Sequence, residues 1–504
     1  MFAAITHLAR LLRIARTFAR HDALFPLERS GVSPVIVAIA RVVSRRAVPG
    51  RPGERLAAAL EELGPSFIKL GQALSVRSDL IGEELADDLA ALQDRLPPFA
   101  GADARAIVES ELGSPIDELF ESFDDTPVAA ASIAQVHLAI TTQGDAVAVK
   151  VLRPGIEARF RRDVDLLLWL ARLVERTRPA LRRLRPLDVV RTFEATVNTE
   201  MDLRLEAAAA SELRENSADD EKFRVPDVDW NRTGRAVMTM ERVGGIRIDD
   251  IAALEAAGFA PRDILQRSAQ AFFRQVFRDG FFHADMHPGN MFVAPDGTLC
   301  PVDFGIMGRL DPSTRNYLAD MLIGFLDRDY KRVAEVHFEA GYVPARQSVG
   351  AFTQAIRSIG EPILGKPLHE ISLARLLAHL FQLTRTFEME AQPQLLLLQK
   401  TMLIAEGVGR TLDPTVNMWS LARPLIEDWV VANRGPDARI RDVVSGAVSQ
   451  LERLPRLIGR AEAVVEALSE EYTPGRHEPA PRGVPNWVVV ALVLIIVLLV
   501  ASAA

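Results

Sequence analysis

The chain has 504 residues, 48% of them hydrophobic and 25% charged, with a formal net charge of −8. That length exceeds a usual single domain and leads us to expect two or three units around at least one large core. The composition is that of a folded protein, and the acidic balance argues against a nucleic-acid partner, because no net basic field covers the surface. Cys300 is the only cysteine, which excludes an intrachain disulfide and any paired-cysteine metal or redox motif, and fits a reducing compartment.

In chain order the first element is "MFAAITHLARLLRIARTFARHDALF", where Arg10, Arg13, Arg16 and Arg20 recur at helical spacing. Phe2, Ile5, Leu8, Leu12 and Phe18 fall mostly on other faces. Arginines interrupt every apolar stretch, so this is not a signal peptide. We read residues 1–30 as a basic amphipathic helix resting on an anionic membrane surface; an ordinary solvated helix face and a transit peptide are the alternatives. Helical spacing returns from Arg51 to about Asp125, broken at Gly64-Pro65, Pro97-Pro98 and Gly113, and residues 31–125 read as a helical extension. "QVHLAI" (135–140) and "AVAVKV" (146–151), joined by "TTQGD", form a hairpin signal. Helices are expected from Ile156 to about Glu221, then a buried strand at "RAVMTMERV" (235–243). A mainly helical region follows, interrupted by short strands near Asn290–Val293 and Leu299–Val302. There is no internal repeat.

At the other end, Val484 to Ala504 is a run of 21 residues without a charge. At about 1.5 Å per residue, 18–20 helical residues span roughly the 30 Å hydrocarbon layer. Trp487 stands where an interfacial indole belongs, and Arg476 and Arg482 precede it, so a transmembrane helix is expected with the bulk of the protein cytoplasmic. "YTPGRHEPAPRGVP" before it reads as a linker.

The chemistry gathers in "FFHADMHPGN" (281–290). His283, Asp285 and His287 alternate there as a metal-gripping trio would, but Asp285 and Asn290 are also five apart, and "VDFG" places Asp303 18 residues after Asp285. Upstream, "VAVK" puts Lys150 on a strand that follows the small-residue loop "VAAASIAQVH". Loop, strand lysine, catalytic aspartate, metal-binding asparagine and DFG aspartate, in that order, are the parts of a protein-kinase-like phosphoryl-transfer site. Each part answers a physical need. The phosphates of ATP demand a lysine and Mg²⁺, and Mg²⁺ takes hard oxygen ligands, here the Asn290 amide and the Asp303 carboxylate. Asp285 is then available to orient a nucleophile or accept its proton. The metal-trio reading leaves Asn290, Asp303 and Lys150 unexplained, so the two histidines are expected to brace the loop instead. Two departures from ordinary kinases stand out. Alanines occupy the phosphate loop, where their Cβ atoms restrict positive φ and close backbone approach. No APE motif follows Asp303.

At this point the sequence resembles the UbiB (ABC1/ADCK) family of atypical kinases, bacterial type, from about Pro49 to Pro414. "FIKLGQ" carries the family's KxGQ motif as Lys69, Gly71 and Gln72; "AAAS" is its alanine-rich loop. "EMDLRLEA" carries its ExD motif as Glu200 and Asp202, with Glu206 the expected ion-pair partner of Lys150, and "LLLLQKTMLIAEGVGRTLDP" matches its late helix. The resemblance implies an α+β, bilobal protein-kinase-like fold with an N-terminal helical extension (31–125), an N-lobe (126–243) and a C-lobe (244–435). A helical or linker segment (436–483) and a C-terminal transmembrane helix (484–504) complete it. It implies a nucleotide site formed by Ala129, Ala130, Ala131, Ser132, Ile133, Ala134, Gln135, Val136, Lys150, Glu241 and Val243, with ATP and Mg²⁺ as cofactors. It also implies that the KxGQ helix lies over the cleft, with Lys69 paired to Glu200 and Asp202, a charge cluster that is costly unless fully paired. Its functional implication is an ATPase or small-molecule kinase supporting ubiquinone biosynthesis at the bacterial inner membrane. The partners would be membrane lipid, polyprenyl quinone precursors and other proteins of that synthesis. A true protein kinase, or a non-catalytic nucleotide-switched lipid-binding or scaffold protein, are the rival readings. Family members often carry two C-terminal membrane helices; here only one is clear, because Leu451–Leu468 is too charged to be the other.

Overall fold

A computed structural model describes residues 2–23, 48–75, 81–90, 92, 96–177, 185–362, 383–384, 386–389 and 392–413, with the single positions 415, 424 and 429. The chain divides into two compact units, Met1–Val430 and Val431–Ala504, and every described residue belongs to the first. The expected linker and transmembrane helix at 436–504 therefore lie outside the described residues. Among those described, no helix is long and apolar enough to cross a membrane.

Among the described residues, helices α1 (Phe2–Arg20), α2 (Pro52–Leu63), α3 (Pro65–Ser75), α4 (Glu83–Ala90) and α5 (Gly101–Leu112) lead in, with a single helical turn at Ile116–Leu119 before the sheet. Gly64, at φ +96°, makes the sharp turn between α2 and α3 that an L side chain would resist. Leu56, Ala59, Leu60, Phe67, Leu89 and Leu92 bury together, and Ile14 and Phe18 of α1 pack against them. Ion pairs fasten α1 as well: Arg20 to Glu62 at 2.8 Å, and Arg10 to the buried Asp163. The helix expected to rest on a membrane is thus docked on the extension through one face, while Arg13 and Arg16 stay exposed.

An antiparallel sheet follows: β1 (Phe120–Phe123), β2 (Ala129–Ala130), β3 (Ala134–Thr141), β4 (Ala146–Leu152) and β5 (Val237–Glu241), in the order β1-β3-β4-β5 with β2 also on β3. The helical reading to about Asp125 fails at β1. Phe120 and Phe123 bury against the sheet, and the backbone pairs with β3 instead of continuing as helix. Alternation in β4 then decides the site. Val147, Val149 and Val151 bury against α5 and β1, which turns Ala148 and Lys150 to the opposite face.

Three helices follow, α6 (Ile156–Thr177), α7 (Pro186–Glu200) and α8 (Leu203–Asn216), of which α8 packs on β5 and meets Lys150 through Glu206. Beyond β5 come β6 (Ile246–Arg247) and α9 (Pro261–Phe273), which runs on as a π-helical turn at Arg274–Asp279. Short strands β7 (Phe281–His283), β8 (Met291–Val293), β9 (Leu299–Pro301) and β10 (Met307–Arg309) frame the chemistry. β7 pairs with β10, and β8 lies between β6 and β9. Helices α10 (Pro312–Leu326), α11 (Tyr330–Glu339), α12 (Val349–Gly360) and α13 (Pro393–Leu412) complete the larger helical lobe. One core runs through both lobes, from Ile133 and Leu152 to Phe282, Met291 and Leu398.

Candidate active site

Lys150 reaches from β4 to Glu206 on α8, Nζ to Oε1 at 2.6 Å, and to Asp303 Oδ1 at 3.6 Å. Burial disfavours the ammonium, but the Asp303 and Glu206 carboxylates outweigh it and hold Lys150 well above its ordinary pKa. Burial pushes the Glu206 carboxyl up, opposed by Lys150, and Glu206 Oε1 also accepts the Phe304 amide at 3.4 Å. Glu206 is aimed by its helix, whose N-cap is Asp202: the Asp202 side chain accepts from Arg204 N and forms an ion pair with the Arg204 guanidinium at 2.6 Å.

Around β7 the backbone is fixed by side chains. Burial keeps the His283 imidazole pKa low and the ring neutral. One ring nitrogen, Nδ1, accepts from Asp285 N at 3.2 Å, so Nε2–H donates to the Asp303 carbonyl. The Gln275 side chain, on the π-helical turn, accepts from His283 N at 3.0 Å, and Thr401 Oγ1 of α13 donates to the Ala284 carbonyl at 3.0 Å. His287 Nδ1 accepts from Gly289 N at 3.1 Å. Both histidines brace the loop. Asn290 Nδ2 donates to the Asp285 carbonyl (3.2 Å) and to its Oδ2 (3.4 Å). Asp303 Oδ1 accepts from Gly305 N at 3.0 Å. Partial burial works to raise the Asp303 pKa, but the ammonium of Lys150, the Gly305 amide and the nearby Lys69 hold it down at about 2. It is a carboxylate at any working pH. Among the described residues, Asp303 Oδ2 and the Asn290 amide oxygen take no bond, leaving two hard oxygen acceptors of the kind Mg²⁺ prefers.

The alanine loop is shaped by pairing rather than left open. Ala129 and Ala130 pair with Val136 and Gln135, and Ala131 N donates to the Ala134 carbonyl at 2.8 Å, so Ser132 and Ile133 form its buried tip. Glu241, opposite Val147 at the end of β5, gives both carboxylate oxygens to Arg224 at 2.6 and 2.7 Å; Val243 follows it out of the sheet. On α3, Lys69 Nζ pairs with Glu200 Oε2 at 2.9 Å, both largely buried. Gly71 has a packing reason: a Cβ there would stand 2.3 Å from Leu92 Cδ1 and 2.8 Å from Leu60 Cδ1. Gln72 is half-buried on the same helix. Of the expected Lys69 pairings, the one to Glu200 is present, while Asp202 serves Arg204 and the α8 cap.

A two-lobed α+β fold, with a strand lysine clasped by a helix glutamate and set against an HAD…N and DFG pair, defines a kinase-like protein. Comparison with known sequences gives the same class. The ABC1 atypical kinase-like domain matches residues 91–337 and the UbiB helical domain matches 356–417. Proteins named "Probable protein kinase UbiB" from Marinobacter nauticus and Vibrio vulnificus are each 44% identical, over 95% and 90% of this chain and 88% and 85% of theirs. The chain belongs to the UbiB family of atypical kinase-like proteins. A solved structure of Rv3197 in complex with erythromycin, from Mycobacterium tuberculosis, is also similar. It has 28% identity and a TM-score of 0.52, with 73% of this chain and 93% of that one covered.

Sequence reasoning missed Arg153, Gln275 and Thr401, which hold the site's backbone without touching its reacting centre. Gln275 and Thr401 left no signal, since nothing in the helical pattern around either sets it apart from its polar neighbours Arg274 and Lys400. Arg153, a single arginine following a strand, left none either.

Proposed function

We propose that the protein binds Mg-ATP in this cleft and either hydrolyses it or passes its terminal phosphoryl group to a small acceptor. The reaction would support ubiquinone synthesis beside the inner membrane. The observation that carries this is the clasp of Lys150 between Glu206 and Asp303, which places one cation against an ionised carboxylate at a loop able to hold phosphates. When bound, Mg-ATP supplies the transferable phosphoryl group and the divalent charge that neutralises it. Asn290 and Asp303 would hold the metal through their uncommitted oxygens, and Lys150 would neutralise the phosphates. Asp285 would orient the attacking water or hydroxyl and take its proton as the new P–O bond forms and ADP leaves with the bridging oxygen. Lys69, paired to Glu200 near Asp303, supports a reading in which α3 covers the cleft and keeps protein substrates out. Membrane-confined polyprenyl quinone precursors are then the neighbouring lipid, approached through the apolar run at 484–504. ATP turnover by the full-length protein, with anionic vesicles and a quinone-precursor mimic, is the test. Turnover that Asp285→Asn abolishes is expected; turnover equal in wild type and variant would overturn the role given to Asp285.

A further inference from the structure

Arg153 leaves β4 directly into the alanine loop and the end of the extension at once. Its main-chain N–H donates to the Ile133 carbonyl at 2.8 Å. Its guanidinium donates to the Ala131 carbonyl from Nε (3.0 Å) and Nη2 (2.8 Å), to the Pro97 carbonyl at 3.0 Å and to the Leu96 carbonyl at 3.3 Å, and lies over the Phe99 ring. Beside it, Gln135 is 1% exposed and bonds the Phe99 peptide in both directions. Its Oε1 accepts Phe99 N at 3.0 Å and its Nε2 donates to the Phe99 carbonyl at 3.3 Å. The second Nε2 hydrogen goes to His137 Nε2 at 2.8 Å. That nitrogen can accept only if Nδ1 carries the proton, which is donated to the Asp124 carbonyl at 2.7 Å. Burial keeps the His137 pKa low and the ring neutral, as this chain of donors requires. Each group has one workable orientation, so the assembly is rigid.

We propose that Arg153 and Gln135 form a latch through which the segment Leu96–Phe99 of the extension sets the conformation of the alanine loop, making both residues positioning groups for nucleotide. The inference rests on the nucleotide site proposed above. Gln135 belongs to the alanine-loop motif, yet its amide is fully engaged by the extension's backbone and by His137, so it acts on nucleotide through the loop. The Ala131 carbonyl is held by two guanidinium N–H groups and its neighbour Ala130 is paired on β3, so the loop cannot move without breaking bonds to Arg153, whose guanidinium also holds the Leu96 and Pro97 carbonyls of the extension. Displacing Leu96–Phe99 would release the loop, and releasing the loop would loosen that segment.

The experiment uses full-length Arg153→Met, Gln135→Met and the double variant, with Arg153→Lys as a milder second route should Arg153→Met not fold. Hydrogen exchange is read at 96–99 and 129–134, and ATP turnover is resolved into KM and kcat. Either single change is expected to speed exchange in both segments together and to raise the KM for ATP about tenfold, with kcat within about twofold, because it removes preorganisation rather than chemistry. The double variant should be no worse than the more severe single, since both act on one segment. Arg153→Lys should not rescue, because an ammonium cannot span three carbonyls in a fork. Faster exchange confined to the loop, or an unchanged KM with both segments loosened, would overturn the latch. Wild-type protein that turns over no ATP would sink the nucleotide reading, while coupled exchange would still report the mechanical link.

Discussion

Lys150 has two carboxylate partners of unlike exposure: Glu206 is buried, whereas the Asp303 side chain is 46% exposed. Asp303 was legible from the spacing of its DFG motif after Asp285, and Glu206 from the resemblance of "EMDLRLEA" to the family motif. Arg153 was not, since an arginine after a strand looks the same whether it ends in solvent or on three carbonyls. His137 and His337 are a second pair that sequence leaves silent. Burial lowers the pKa of both, so each ring is neutral when folded. A group whose folded pKa lies below its unfolded value, about 6.5 for histidine, adds stability that is present above that pH and lost as pH falls through it. The urea midpoint should therefore drop between pH 7 and pH 5, and His137→Gln should shrink the drop. A wild-type midpoint that stays level over that window would contradict the burial of neutral imidazoles.

Among elements, α3 carries one family motif, while the other straddles the junction between α7 and α8. Asp202 caps α8 and so aims Glu206, whereas Glu200, at the end of α7, takes the Lys69 ammonium. The spacing of the ExD motif was readable, but not that its two acids part company, because that depends on where one helix ends and the next begins. In α3, Gly71 lets Leu60 and Leu92 approach. Gly71→Ala should destabilise the protein by about 1–3 kcal/mol through overpacking, measured by urea unfolding; an unchanged midpoint would show that the neighbours yield freely. Lys69→Ala should keep the fold yet strand Glu200, losing function in quinone synthesis and gaining self-phosphorylation. Phosphate incorporation and quinone content in one strain decide it, and normal values for both would sink the covering role of α3. The strand at Phe120–Phe123 escaped notice because four residues after a helical run hold no period long enough to read.

At the scale of the whole molecule, Lys69 of the extension and Lys150 of the sheet bring their charges to Asp303 of the helical lobe, and the family relationship covers nearly the full chain. Helix α1 is fastened by Arg10 and Arg20 while Arg13 and Arg16 stay exposed, so it can meet an anionic surface without leaving its dock. Removal of residues 484–504 should leave a protein that binds membranes but washes off at high salt, whereas the full chain should need detergent. Complete release at low salt would make those arginines a solvated face only. Binding of Mg-ATP through Asp303, as proposed, is tested most directly by the thermal shift of the full-length protein with ATP, with and without Mg²⁺. A Mg²⁺-dependent rise in Tm that Asp303→Asn abolishes is expected, because only the neutral Asn290 amide would remain for the metal. An equal rise in the variant would contradict it.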